Sequence, residues 1–152
     1  MRVPHSVRMP VLTVADIEAL LDEHYPPWRT FTRIAGLGDR DITLVMPFKP
    51  EMTRAGGTIS GPAMMALADS AAYYLVLAHC GPVANAATAN LDIHFLSRPA
   101  PADVVAVATL LRKGKRLVVA RVDMSSGDDL VASSTVTYAI PPDRPSPVLT
   151  SR

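Results

Sequence analysis

The chain has 152 residues, with 49% apolar and 19% charged residues, one cysteine and a formal net charge of +1. That length builds one domain with a real core, and that composition excludes a disordered chain. It also leaves enough apolar surface to expect contact with a second subunit. The balanced charge excludes a global field for nucleic acid or an anionic membrane, so any cationic function has to be local.

Residues 1–12 read as a loose arm, broken by Pro4 and Pro10 and lacking the apolar core of a signal peptide. Thr13, with Asp16 three residues later, gives a capping-box signal, and Ile17, Leu20 and Leu21 carry a short helix to about His24, where Pro26-Pro27 stops it. Phe31 to Ala35 and Ile42 to Met46 read as short strands around the turn Gly36-Leu-Gly38. Pro47 to Gly57 is a polar connection.

Ser60-Gly61-Pro62 opens the longest helix, with a serine cap and a proline in the first turn, where its missing N–H costs nothing. From Ala63 to Ala78 this helix is apolar on nearly every face, as expected of a helix wrapped by other structure, and Gly81-Pro82 ends it. Asp69 in its middle argues for a buried helix rather than a membrane span, and the default location is the cytoplasm. Four strands follow: Leu91 to Phe95, Val104 to Leu111, Leu117 to Met124 and Leu130 to Ile140. The turns Arg112-Lys-Gly-Lys-Arg116 and Ser125-Ser-Gly-Asp-Asp129 are too short for parallel crossovers, which predicts an antiparallel meander. The tail from Pro141, rich in proline, is expected to be disordered, leaving residues 1–140 as one domain. A long helix followed by such a meander is an α+β domain in which the sheet has to cover the helix.

Asp69 is the sharpest anomaly. A carboxylate among apolar neighbours is costly when ionised and unpaired, so it faces a cavity, pairs with a cation or lies at an interface. In a cavity it suits a general base, or a nucleophile where electrophilic help is at hand. Gly61 starts the same helix, and its N–H at the positive helix end is suited to polarise a carbonyl oxygen. Eight residues separate the two, about 12 Å along the axis and about 80° around it, so one chain would not bring both to one carbon. A purely structural reading stands beside this one: Asp69 paired with Arg54 or Arg98, and Ser60-Gly61-Pro62 serving only as a helix start.

The run Gly57-Thr-Ile-Ser-Gly-Pro-Ala-Met-Met-Ala-Leu-Ala-Asp69 resembles the hallmark of the PaaI-like acyl-CoA thioesterases, a hotdog-fold group. Downstream, Thr88-Ala-Asn-Leu-Asp-Ile-His-Phe-Leu-Ser-Arg-Pro99, the hairpin Leu111 to Leu117, and Leu130-Val-Ala with Tyr138 are similar to the group's later strands, so the resemblance runs from about residue 40 to 140. It implies a hotdog fold, a homodimer that pairs again as a dimer of dimers, and hydrolysis of an acyl-CoA without metal or organic cofactor. It further implies that Asp69 activates water or attacks the thioester directly, Gly61 of the opposite subunit binds the thioester oxygen, and Thr88 steadies the carboxylate or water. Ser60 stands where the group has histidine, Pro62 where it has a second glycine, and Arg54 where relatives often carry Asn or Gln. Ser60, Pro62, Arg54 and Asn90 are assigned to substrate binding. A donor-only arginine at position 54 would either bind substrate or pair with Asp69.

Arg98, Arg112, Lys113, Lys115 and Arg116 are candidates for the phosphates of CoA, although a crowded cationic turn is equally a solvated hairpin. The four histidines have no metal-ligand spacing, Cys80 reads as a small hydrophobe, and Ser133-Ser134 lack a nucleophile-elbow setting. No phosphate loop or dinucleotide fingerprint is present. Met64, Met65, Tyr73 and Tyr74 read as core or dimer contacts that could also line an acyl pocket, and Ala63, Ala66 and Ala72 leave room beside the helix. Two other readings share the fold: a non-catalytic acyl-CoA-binding dimer with Asp69 neutralised by Arg54, and a hydratase, which would call for a catalytic histidine near the helix start.

Overall fold

The computed structural model describes residues 9–142. The elements are α1 (Val14–His24), α2 (Trp28–Phe31), β1 (Arg33–Leu37), β2 (Asp41–Met46), α3 (Gly61–Cys80), β3 (Ala87–Phe95), β4 (Val104–Lys113), β5 (Leu117–Ser126) and β6 (Asp129–Ala139). The six strands form one antiparallel sheet in the order β1-β2-β4-β5-β6-β3. This is the α+β architecture expected, a long central helix packed against an antiparallel sheet.

The local signals explain the elements. Thr13 caps α1 in a complete capping box with Asp16. The Ser60 hydroxyl accepts from the Ala63 N–H at the start of α3, and Gly81, at φ +87°, closes its far end with an N–H to Leu77 O. Gly127 at φ +59° occupies the first position of the two-residue β5–β6 turn, where a left-handed conformation is required.

Four expectations are corrected. Residues 9–12 are no loose arm, because Val11 and Leu12 N–H both donate to Ala78 O and tie the segment to the end of α3; residues 1–8 lie outside the described residues, as does the proline-rich tail beyond Pro142. The first strand starts at Arg33 rather than Phe31, because Trp28–Phe31 forms a helical turn after the two prolines. Gly36 and Leu37 belong to that strand, with a register break between Ile34 and Gly36, and the turn moves on to Gly38–Arg40. Finally, only β4, β5 and β6 are a meander; β3 pairs with β6 rather than β4 and forms the edge of the sheet.

α3 packs against β2, β3, β4, β5 and β6. Its Leu67, Leu75 and Leu77 are fully buried against inward residues of the sheet such as Leu44, Leu110 and Val122, in one continuous core. This accounts for a helix long and apolar enough to cross a membrane by length and composition alone: most of that surface is buried in the domain. Leu75 is fully buried in the core and its side chain is wholly apolar, so Leu75→Ala isolates packing. It is expected to lower unfolding stability by about 2–5 kcal/mol in chemical denaturation, the cost of the lost transfer energy and the cavity left behind.

Candidate active site

Asp69 is half-buried and lies in the wall of a cavity of about 600 Å³. α3 presents one stripe to that cavity, Ala66, Asp69, Ser70, Tyr73 and Tyr74, at the three-and-four spacing of a single helix face. Opposite stand Thr88 of β3 and Tyr138 of β6, which are register partners across the sheet.

Both hydroxyls converge on one oxygen of the carboxylate. Thr88 Oγ1 donates to Asp69 Oδ1 at 2.6 Å, and Tyr138 Oη donates to the same Oδ1 at 2.8 Å. Tyr138 Oη also lies 3.2 Å from Asp69 O. Oδ2 receives no hydrogen bond among the described residues and remains the oxygen available to a ligand or water in the cavity. Neither Arg54 nor Arg98 pairs with Asp69 within the chain.

Thr88 reaches Asp69 because of an irregularity in β3. Leu91 and Ile93 turn towards the core while Asn90, Asp92 and His94 are exposed, so strict alternation would send Thr88 outwards with the even-numbered residues. The register shifts between Thr88 and Asn90, leaving Ala89 as an extra residue opposite β6. One extra residue reverses the parity and turns Thr88 inwards beside Tyr138.

Burial pushes the Tyr138 phenol well above its ordinary value of 10.0; the hydrogen bond with Thr88 opposes this, and the charge and hydrogen bond of Asp69 add to the rise. It is therefore a proton donor throughout the physiological range. Its ring stacks on Tyr73 at 5.8 Å, and Tyr73 donates its hydroxyl to Ala84 O at 2.8 Å. Burial likewise raises the Tyr73 phenol and pushes that of Tyr74 up to about 12.

The other expected site residues fall into separate groups. Gly61, with Ser60 and Pro62, starts α3 under the ring of Phe95, so close that a Cβ on Gly61 would lie 3.3 Å from Phe95 Cζ. Arg54 and Arg98 are exposed on loops at this same end, linked to it by Ser60 N–H to Met52 O and Ile59 N–H to Pro99 O. Asn90 is exposed on the outer face of β3. Arg112, Lys113, Lys115 and Arg116 are exposed at the β4–β5 hairpin, where Lys113 Nζ donates to His79 O at 2.9 Å and secures the hairpin to the end of α3. The structure thus brings Asp69 and Thr88 together and leaves Gly61 apart from them, about 12 Å along the helix. Tyr138 is the hydrogen-bond partner of Asp69 that residue types alone did not single out; its place opposite Thr88 on the closing strand is the signal that finds it.

The site is thus a helix carboxylate oriented by two hydroxyls beside a cavity, on an α+β domain with a helix-start N–H further along the same helix. The sequence model of the thioesterase superfamily matches residues 56–133, which include α3, β3, β4 and β5. The chain is 35% identical to a candidate thioesterase of Silicibacter sp. TM1040 whose crystal structure superposes with a TM-score of 0.81, covering 90% of this chain and 97% of that one. It is 25% identical to a candidate esterase of Thermoplasma acidophilum over 70% of this chain and 81% of the relative. The fold also matches the Escherichia coli PaaI protein of the phenylacetic acid degradation operon, with a TM-score of 0.71 at 16% identity, over 84% of this chain and 92% of that one. The chain belongs to the thioesterase superfamily.

The tyrosine pKa shifts fix a sign. Each folded-state phenol binds its proton more tightly than in the unfolded chain, so its contribution to stability is complete below about pH 10 and is lost as pH rises through the folded value. Unfolding free energy is expected to fall as pH rises above 10, and to fall less steeply in Tyr138→Phe; denaturant titrations along a pH series measure both slopes, and equal slopes would exclude Tyr138 as a contributor.

Proposed function

We propose that this protein is an acyl-CoA thioesterase whose active site is assembled from two copies of the chain. The observation that carries the reading is the asymmetric Asp69 carboxylate, with Oδ1 held by Thr88 and Tyr138 and Oδ2 open to the cavity. A carboxylate fixed through one oxygen can present the other to a water molecule in a defined direction. In the proposed reaction Oδ2 takes a proton from water as the water oxygen bonds to the thioester carbon. The carbonyl oxygen becomes an oxyanion, then re-forms its double bond as the C–S bond breaks. CoA leaves as a thiolate that recovers the proton from Asp69, and the free acid remains. No metal or organic cofactor enters these steps, because a thioester is already activated towards attack.

The oxyanion needs a donor, and Gly61 of the same chain lies about 12 Å from Asp69 along α3. α3 and β3 run in opposite directions, with Gly61 beside Phe95 and Asp69 beside Thr88. β3 ends the sheet, and Phe95 and Leu96 near its end are 50% and 54% exposed. A second copy that paired its β3 antiparallel to this one, with its Phe95 opposite Thr88, would carry its Gly61 N–H towards Asp69. The same pairing would cover a long unpaired edge that folded proteins seldom leave open. Arg54 and Arg98 would arrive with Gly61, which favours substrate contact as their role. Asn90 sits on the pairing strand, and the cations of the β4–β5 hairpin are assigned to CoA phosphates. Dimers would join further as a tetramer, and the protein would act in the cytoplasm without nucleic acid or membrane partners.

Asp69→Asn preserves shape but removes the base and is expected to lower kcat by about 10²–10⁴-fold across an acyl-CoA panel. Unchanged turnover would end the role of Asp69 as the base, and a wild type that binds acyl-CoA without hydrolysing it would end the enzyme reading.

The two-subunit site has its own measurement. Gly61→Pro removes the N–H at a helix position that accepts proline, while Gly61→Ala retains the N–H as a control. Gly61→Pro and Asp69→Asn homodimers are each expected to be nearly inactive. Co-refolding them should restore activity, because one site of each heterodimer then carries both native groups. Failure to recover activity from verified heterodimers would place both groups in one chain.

A further inference from the structure

The cavity beside Asp69 has a wall that the proposed chemistry leaves unused. It is made by the bend between α1 and α2, from which His24, Tyr25 and Phe31 reach the cavity. All four tyrosines of the chain line this one space, so its surface is set by large, stiff rings with few rotamers.

The bend is fastened in place by Asp22. Its Oδ1 accepts from Trp28 Nε1 at 2.9 Å and from Arg29 Nε at 2.6 Å, and its Oδ2 accepts from Arg29 Nη2 at 2.7 Å. One carboxylate on α1 therefore grips two consecutive residues of α2 across Pro26-Pro27. Arg29 also lies over the Trp28 ring at 4.8 Å. Trp28, 2% exposed, meets Tyr74 edge-on at 6.1 Å, and the hydroxyl oxygens of Tyr74 and Thr32 lie 3.1 Å apart. The chain of contact thus runs from Asp22 through Trp28 to Tyr74 in the cavity wall. The Asp22–Arg29 pair is substantially exposed, with side chains 43% and 54% accessible, and an exposed pair contributes little to global stability. Its three-donor geometry is better matched to setting where the bend sits.

Resting on the thioesterase reading above, we infer that this bend is the specificity-determining end wall of the acyl pocket, with Tyr25 and Phe31 as the limiting side chains and Asp22 as their positioning residue. The acyl group extends from the carbonyl at Asp69 along the α3 stripe towards Tyr74 and stops at the bend. Asp69 to Tyr74 spans about 7.5 Å of helix rise, which at C–C bonds of about 1.5 Å admits a chain of about six carbons. The ligand class is a compact apolar acyl group, and longer chains are refused by the wall.

The test is a length profile with two independent readouts. The ratio of kcat/KM for decanoyl-CoA to that for hexanoyl-CoA is measured for wild type, Tyr25→Ala, Phe31→Ala and Asp22→Ala. Binding of butyl- to hexadecyl-CoA thioethers, which cannot be hydrolysed, is measured by calorimetry on the same proteins. Wild type should discriminate against the longer chain, and opening the wall at Tyr25 or Phe31 should raise the ratio about tenfold or more, as removal of apolar steric exclusion does. Asp22→Ala should raise it in the same direction with little change in Tm. A merely structural role would reduce both substrates alike and leave the ratio fixed. Hydrolysis with an unmoved ratio in the wall variants overturns the inference, as does a uniform loss of affinity at every chain length, which would assign the bend to CoA instead. If no thioester is turned over but the thioether profile shifts as expected, the hydrolase reading falls and the end wall stands.

Discussion

The geometry of the candidate site depends on one crowded oxygen. Asp69 Oδ1 accepts two hydroxyl protons from two different strands, while Oδ2 is left to the cavity. Hydrogen bonds to a charged acceptor contribute more than neutral ones, about 1.5–3 kcal/mol each, so the pair offsets part of the cost of holding a carboxylate on an apolar helix. The asymmetry matters as much as the energy. Four donors around both oxygens would give a well-satisfied structural carboxylate; two on one side give an oriented one.

That orientation is bought with an irregular strand. Without the extra residue at Ala89, β3 would alternate cleanly, Thr88 would face solvent, and Asp69 would keep Tyr138 alone. The bulge costs a ladder position at the sheet edge, where the penalty is smallest because one side of the strand has no neighbour in the chain. The same edge position leaves β3 free to meet a second copy. Site geometry and the proposed dimer therefore share a single cause, the placement of β3 outside β6.

The sequence displays the parts of this arrangement that local chemistry determines. Ser60, Gly61 and Gly81 bracket α3 because caps and breakers act within a turn of the helix, and the β4–β5 and β5–β6 hairpins are legible because short glycine-centred loops allow little else. Asp69 stands out because a charge in an apolar run contradicts its neighbours. What escapes is non-local. Nothing in Leu91 to Phe95 says whether that strand joins β4 or β6, since either pairing would bury the same alternate residues. The bulge at Ala89 has no composition signal, for alanine suits a regular strand as well. Tyr138 on an inward strand face reads as core until its hydroxyl is seen to have a carboxylate within reach. Trp28–Phe31 is hidden for another reason: two prolines signal a stop, and four residues are too few to show a period.

The separation of Gly61 from Asp69 has a consequence that no local adjustment can remove. Both residues belong to one continuous helix packed on five strands, so the gap between them is as stiff as the core itself. A loop could close over a substrate; a buried helix cannot fold back on itself. In the proposed reaction, a carbonyl held beside the open oxygen of Asp69 would draw its polarising N–H from Gly61 of a second copy. The rigid core that makes the fold stable is thus also what makes a lone copy incomplete for the proposed reaction, and assembly then becomes part of the chemistry rather than an addition to it.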